Sequence, residues 1–355
     1  MKTVILDGYT ANPGDLSWDG LKELGELEVY DRTAPDKLTE RAKDADALLT
    51  NKVVIGTDAM AALPRLRYIG VLATGYNVVN VEEAHRRGIA VTNIPAYSTM
   101  SVAQMVMAHL LNITNQVSLH AEAVRRGEWQ RCPDFSFTLG STPSPSLVGR
   151  GADTNSDSVL CGRTICPPPY KGGAGGGSLI ELDGLTMGII GVGNIGTQVA
   201  RAAQALGMRV MACSSKSAEA LRELGIRKAK DYTELFREAD VVSLHCPLTG
   251  ETRHLVNAER LALMKPSAIL INTGRGPLLD EEAVAAALRD GRLYAAGLDV
   301  LEEEPPRKGS PLIGAPRCHI TPHIAWASVA ARRRLISIAT DNLLAFMRGE
   351  TLNRI

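Results

Sequence analysis

The sequence predicts an α/β protein with two doubly wound parallel sheets, and three observations carry that expectation. Short apolar runs alternate with helical patterns along nearly the whole chain, the arrangement that builds parallel strands joined by helical crossovers. At 355 residues the chain is too long for one small core, which favours two domains. At 186–190 an apolar run enters Gly191-Val192-Gly193-Asn194-Ile195-Gly196, and a helical pattern starts at once.

Residues 1–93 read as strands at 4–6, 27–30, 47–50, 68–73 and 90–92, with helices near 18–24, 36–43, 57–62 and 81–87. That alternation describes a small doubly wound unit. The loop Ala73-Thr74-Gly75-Tyr76-Asn77 follows a buried strand, at the carboxyl edge where open α/β sheets bind ligands. Its residues alone read as a glycine turn.

One long helical pattern is expected over 101–126, ended by Gly127. It carries too many apolar residues for a single amphipathic face, so burial between domains or between subunits is expected. His109 and His120 lie on it without a metal-ligand companion at helical spacing. Both read as packed or surface histidines, and no metal site is expected.

The 138–178 stretch breaks the pattern. It is rich in Gly, Pro, Ser and Thr, with three prolines at 167–169 and GGAGGGS at 172–178. No hydrophobic period survives, so a disordered insertion is expected. Cys161 and Cys166 have a spacing that could close a small loop, but nothing nearby completes a zinc site.

After Leu179 the glycine fingerprint follows its strand, and further strands are expected at 209–213, 241–245, 268–272, 294–300 and 319–321. Helices near 195–206, 217–224, 233–237, 257–264 and 280–290 separate most of them. Six strands in this order fit a dinucleotide-binding fold, two halves meeting at a switch point. Gly191 would make the tight turn, Gly193 would admit a pyrophosphate, and Gly196 would let the helix pack close. A last helix over 329–347 is expected to return to the first domain.

Composition narrows the partners. Lys plus Arg equals Asp plus Glu at 39 each, so no electrostatic case exists for nucleic acid or an anionic membrane surface. Six cysteines in so long a chain do not describe a disulfide framework. Cys213 and Cys246 end expected buried strands and read as small hydrophobes. The N-terminus enters a strand without a signal-peptide core, and no apolar run reaches membrane-span length. A cytoplasmic location is expected.

Three residues after later strands form a chemical set: Arg275 in NTGRG, Glu304 in LEEEP and His323 in TPHIAW. An Arg can grip a carboxylate in a two-pronged pair. A His can give or take a proton near neutral pH, and a carboxylate can orient it. Beside a hydride carrier, these groups suffice to interconvert a 2-oxo acid and a 2-hydroxy acid.

With those motifs in place, the spans 68–137 and 179–355 resemble the D-isomer-specific 2-hydroxyacid dehydrogenases, nearest the glycerate dehydrogenase (hydroxypyruvate reductase) branch. GIIGVGNIG, LINTGRGPLLDEEAV, GLDVLEEEPP and ITPHIAWAS stand in the family's order. The resemblance implies a Rossmann domain over 101–326 and a smaller flavodoxin-like substrate domain of 1–100 plus 327–355. It implies Arg275 as the substrate anchor, Glu304 as the partner of His323, and His323 as the general acid/base. It implies that Thr74 and Gly75 offer backbone N–H groups to the substrate carboxylate. In the cofactor-binding fingerprint of Gly191, Gly193 and Gly196, Asn194 and Ile195 would meet the pyrophosphate, Thr273 and Asp299 would lie by the nicotinamide, and Pro247 and Thr252 nearer the adenosine half. The substrate implied is a small 2-oxo or 2-hydroxy acid such as hydroxypyruvate or glyoxylate, and the assembly implied is a homodimer. Formate dehydrogenases of this fold carry Gln at the Glu304 position, and phosphoglycerate dehydrogenases often add a regulatory domain, so neither is the favoured branch.

Two departures stand out. NAD-preferring relatives place an acidic residue after the second strand of this domain, whereas this chain has Ser214, Ser215 and Lys216 there. Hydroxyls and a Lys tolerate a 2′-phosphate that a carboxylate would repel, so NADP is slightly favoured over NAD. The second departure is the 138–178 insertion, beside the family's dimer-forming arm. Its mild consequence is a harmless surface loop, and its sharper one is weakened dimerisation or a perturbed active site in the partner subunit. A nucleotide-sensing binding protein, like the corepressors that share this fold, is the alternative function; an inactive product of the inserted segment is a third.

Overall fold

The computed structural model describes residues 1–139 and 179–355. The expectation of an insertion over 138–178, with Cys161 and Cys166, lies outside those residues except for Thr138 and Leu139. The described chain divides into two compact units, Met1–Val102 with Ile324–Ile355, and Ala103–His323.

In the first unit, β1 (Lys2–Ile5), β2 (Glu26–Val29), β3 (Ala47–Thr50), β4 (Tyr68–Val71) and β5 (Ala90–Thr92) form a parallel sheet in the order β2-β1-β3-β4-β5. Both β3 and β4 are buried at every residue, which is why they read as uninterrupted apolar runs rather than alternating ones. The crossovers carry α1 (Gly8–Ala11), α2 (Asp19–Lys22), α3 (Leu38–Ala42), α4 (Thr57–Ala61) and α5 (Val81–Arg86). Asn80 caps α5, its side-chain oxygen accepting from the Glu83 N–H at 3.2 Å. The one-turn α1 has no sequence signature and was not expected.

The second unit begins within α6 (Thr99–Asn115), followed by α7 (Val117–Arg125) and α8 (Glu128–Arg131). The single helix expected over 101–126 is therefore two. The break lies at Gln116, in the left-handed region at φ +49°. A competing donor accompanies it: the carbonyl of Thr114 accepts from the N–H of Ile180 at 3.0 Å, in place of an N–H of the next helical turn. The Thr114 hydroxyl also bonds back to the Leu110 carbonyl at 3.0 Å, an arrangement that bends helices. Burial within this chain differs on the two sides of the break. Val106, Leu110 and Ile113 of α6 are buried, whereas Val117, Leu119 and Val124 of α7 are exposed.

The remaining elements are β6 (Thr186–Ile190), α9 (Asn194–Ala205), β7 (Arg209–Cys213), α10 (Ala218–Glu223), β8 (Arg227–Lys228), α11 (Tyr232–Glu238), β9 (Val241–Leu244), α12 (Ala258–Leu261), β10 (Ile269–Asn272), α13 (Glu281–Arg289), β11 (Ala295–Leu298) and β12 (Cys318–Ile320). All seven strands are parallel, in the order β12-β11-β10-β9-β6-β7-β8. Six strands were expected; β8 is a seventh. It is two exposed basic residues paired to Met211 and Ala212, so it shows no apolar run. The sheet is covered by two apolar clusters, one around Phe236, Leu270 and Leu288 and one around Ile189, Val199 and Ile271. Among the described residues, no helix is long and apolar enough to cross a membrane.

The closing helix, Val329–Met347, keeps its expected bounds and belongs to the first unit. Ser328 caps it. Its buried Arg332 donates to both carboxylate oxygens of Asp15, each at 2.6 Å, and to the Ala327 carbonyl at 3.0 Å. Trp326 packs edge-on to Tyr97 at 6.4 Å and against the core.

The hydrogen bonds from Arg332 hold the Asp15 carboxyl below the usual carboxylate range. A folded pKa below the unfolded one contributes stability above the unfolded value and loses it as pH falls through the folded value. Asp15→Asn should therefore lower Tm at pH 7, and the gap to the parent should narrow as the pH drops below about 4. Thermal melts at pH 7 and pH 3 measure this; an unchanged gap would show that the pair carries no pH-dependent stability.

Candidate active site

The switch point of the larger sheet lies at β6, which has β7 on one side and β9 on the other. The glycine fingerprint leaves β6 there. Gly191 has φ +95°, and a Cβ on it would sit 2.7 Å from the His245 carbonyl. A Cβ at Gly196 would meet the Gly191 oxygen at 2.2 Å, so α9 packs this close only with glycine. At Gly193 the same Cβ would meet nothing within 4 Å. That open space lies at the N-cap of the 12-residue α9, where no side chain satisfies the first N–H groups. Asn194 and Ile195 open the helix, so its positive end is free for an anion.

Three neighbouring strands, β10, β11 and β12, bring the other candidates together. After β10, the fully buried Asn272 clasps its own turn: its oxygen accepts from Gly274 N–H at 3.0 Å, and its amide donates to the Arg275 carbonyl at 2.8 Å. Arg275 is exposed, with one bond from its guanidinium to the Gly274 carbonyl. The next residue, Gly276, lies so close to the following loop that a Cβ would fall 1.9 Å from the carbonyl group of Leu301. The Arg275 loop thus rests backbone to backbone on the loop that carries Glu304. Neither Asn272 nor Gly276 was singled out from sequence, since an Asn and a Gly in a turn are locally unremarked.

Glu304 uses both oxygens. One accepts from the Leu301 N–H at 2.9 Å, and the other meets His323 Nδ1 at 2.6 Å. The pair is about one-third exposed on each side. His323 itself is in the left-handed region at φ +54°, a conformation that costs a non-glycine residue about 1 kcal/mol or more. Its N–H is held by the Asp299 carbonyl at 2.8 Å and the Thr321 carbonyl at 2.9 Å. With Nδ1 engaged by the carboxylate, Nε2 is the nitrogen left for a substrate.

Asp299, at the end of β11, is buried, and its carboxylate accepts from the Thr321 hydroxyl at 2.6 Å. Thr273, after β10, is buried with its hydroxyl unpartnered among the described residues, an atom that calls for a ligand. Thr252 donates to the Pro247 carbonyl at 2.7 Å, so these two close one loop after β9. Ser214 Oγ accepts from the Lys216 N–H at 3.2 Å beyond β7. Lys228 of β8, which sequence reading missed, donates to the Lys216 carbonyl at 2.8 Å.

In the first unit, Thr74 and Gly75 follow β4. The Thr74 hydroxyl donates to the Ile94 carbonyl at 2.9 Å, and its carbonyl accepts from Asn93 at 2.7 Å. Among the described residues nothing accepts from the N–H groups of Thr74 or Gly75. The loop is therefore pinned by side chain and carbonyl while its donors stay open.

Residues 174–325 match the model of the D-isomer specific 2-hydroxyacid dehydrogenase NAD binding domain. A hydroxypyruvate reductase of Blautia hydrogenotrophica is 42% identical, over 99% of this chain and 99% of its own. The chain belongs to the D-isomer specific 2-hydroxyacid dehydrogenase family. A glyoxylate reductase of Aeropyrum pernix is 36% identical over 93% of this chain and 89% of its own. Among solved structures, the TT0316 protein of Thermus thermophilus covers 100% of both chains at 34% identity, with a TM-score of 0.77. This family member is an oxidoreductase acting on CH–OH groups with a nicotinamide cofactor. The chain's own residues fit that cofactor: the vacant side-chain position at Gly193, the uncapped start of α9 and the orphan Thr273 hydroxyl lie at the carboxyl ends of β6 and β10.

The Gly276 contact sets a test. Gly276→Ala must push the Leu301–Glu304 loop away by more than an ångström, which should lower kcat/KM by about 10²-fold while the far-ultraviolet circular dichroism stays unchanged. Full activity in the alanine variant would mean that the loops can separate freely.

Proposed function

We propose that this dehydrogenase reduces hydroxypyruvate or glyoxylate to the D-2-hydroxy acid. The observation that carries the reading is the set at β10, β11 and β12: an Arg275 loop packed on the Glu304 loop, and a His323 whose Nδ1 is fixed by Glu304 while Nε2 is free. The nicotinamide cofactor supplies the two electrons as hydride. Arg275 holds the carboxylate and carbonyl oxygen of the 2-oxo acid, and the open N–H groups of Thr74 and Gly75 serve the same carboxylate. His323, oriented by Glu304, delivers its Nε2 proton to the nascent alkoxide, so the 2-oxo acid gains one hydride and one proton. The start of α9 holds the pyrophosphate, Thr273 and Asp299 lie by the nicotinamide, and Pro247 and Thr252 lie nearer the adenosine half. The names of the relatives favour hydroxypyruvate and glyoxylate as the acids.

At the adenosine end, Ser214, Lys216 and Lys228 favour NADP over NAD. Two ammonium groups at this loop attract a 2′-phosphate, and Ser214 places no carboxylate against it. The same reading makes the protein a cytoplasmic homodimer. Its described cysteines, Cys132, Cys213, Cys246 and Cys318, are free thiols, as a reducing compartment requires. Exposed Val117 and Val124, seven residues apart on one side of α7, offer apolar side chains for a second copy, with exposed Trp129 and Phe135 following in the chain.

A panel of 2-oxo acids with both reduced cofactors tests the catalytic reading. Hydroxypyruvate and glyoxylate should turn over, NADPH should give the higher kcat/KM, and His323→Asn should lower kcat by about 10²–10⁴-fold. Tight cofactor binding without turnover would instead mark a nucleotide sensor, and a strong NADH preference would overturn the cofactor assignment.

For the assembly, Val117→Asp should convert a dimer to a monomer by light scattering. A variant that remains dimeric would remove this face from the interface.

A further inference from the structure

We propose that His109 is a positioning residue for the cofactor: through the Thr321 hydroxyl it fixes the carboxylate of Asp299. The inference rests on the reading that Asp299 lies by the nicotinamide. His109 is buried at 5% exposure, yet it is not idle filling. Its Nε2 lies 3.1 Å from Thr321 Oγ1, and that hydroxyl donates to Asp299 Oδ1 at 2.6 Å. The order of donation follows from the atoms. A hydroxyl has one proton, and here it is given to Asp299. Towards His109 the Thr321 oxygen can only accept, so Nε2 carries the imidazole proton.

The ring is also held neutral, because burial pushes its pKa down and the nearby His319 pushes it further, against the opposing Asp299 charge. A neutral imidazole with its proton on Nε2 is a one-way donor into the chain His109, Thr321, Asp299. The packing makes room for it. A Cβ on Gly297 of β11 would fall 2.7 Å from the His109 Cβ, so the glycine lets α6 bring the ring down onto the strand that ends in Asp299. One turn later Asn112 meets His319 Nδ1 at 3.3 Å, a second polar tie from α6 to β12.

Without the His109 donor, the Thr321 oxygen loses its fixed partner and the hydroxyl can turn away from Asp299. The carboxylate then loses the hydrogen bond that this chain supplies. Losing one such bond weakens the dependent interaction by about tenfold.

The test is direct titration of the full-length protein with NADPH and NADH by fluorescence, paired with steady-state reduction of hydroxypyruvate. His109→Leu should raise the cofactor Kd about tenfold, raise KM for the cofactor in parallel, and change kcat less. His109→Gln, which keeps an N–H donor at a similar reach, should restore binding to within about twofold. In a double-mutant cycle, His109→Leu with Thr321→Val should be no worse than Thr321→Val alone. If Leu and Gln bind cofactor alike, or if the two substitutions add fully, the proposal is overturned. Asp299→Asn separates the two levels. If it leaves the cofactor Kd unchanged, the placement of Asp299 fails and the proposal with it; if it weakens binding while His109→Leu does not, only the His109 proposal fails.

Discussion

At Gly276 two loops of the larger unit meet backbone to backbone, and the placement of the candidate catalytic groups depends on that contact. A side chain there would overlap the main chain of Leu301, so the Arg275 turn and the Glu304 loop share one main-chain reference. Side chains that hang from main chain fixed in this way lose little orientation to rotamer freedom further back in the chain. Asn272 does the same within the first loop, spending its amide on the turn that ends in Arg275. The three strands involved are consecutive in the sheet, and adjacent strands lie only about 5 Å apart. A guanidinium, a carboxylate and an imidazole therefore gather at one edge without any of them being close in sequence.

His323 shows what that rigidity has to withstand. A left-handed backbone at a histidine is unfavourable, yet its N–H is taken by two carbonyls, and its ring nitrogen by Glu304. The strain is local and the bonds that offset it come from Asp299, Thr321 and the Glu304 loop. The same residue ends the larger unit.

What was legible in the sequence follows from range. The strands and the glycine fingerprint are signalled by neighbours within a few residues, and Arg275, Glu304 and His323 each follow the strand expected before them. The break at Gln116 was not legible, and the Ile180 N–H that accompanies it comes from a distant part of the chain. Strand β8 was not legible either, since two exposed basic residues carry no apolar period and only pairing with β7 makes them a strand. His109 read as a packed or surface histidine and is buried, and its partner lies 212 residues away. No local pattern encodes such a pair.

Asp299 ties these threads together, because it acts through two chemically separate groups. Its carbonyl holds the strained His323 backbone, and its carboxylate receives the Thr321 hydroxyl. The first group is main chain and survives any substitution that keeps the fold. The second is side chain and can be changed alone. One position thus supports His323, the proposed acid/base, by geometry and faces the Thr321 and His109 hydrogen bonds by charge. Because the carbonyl cannot be substituted away, replacing the carboxylate perturbs the hydrogen-bond chain from His109 without releasing the turn that carries His323.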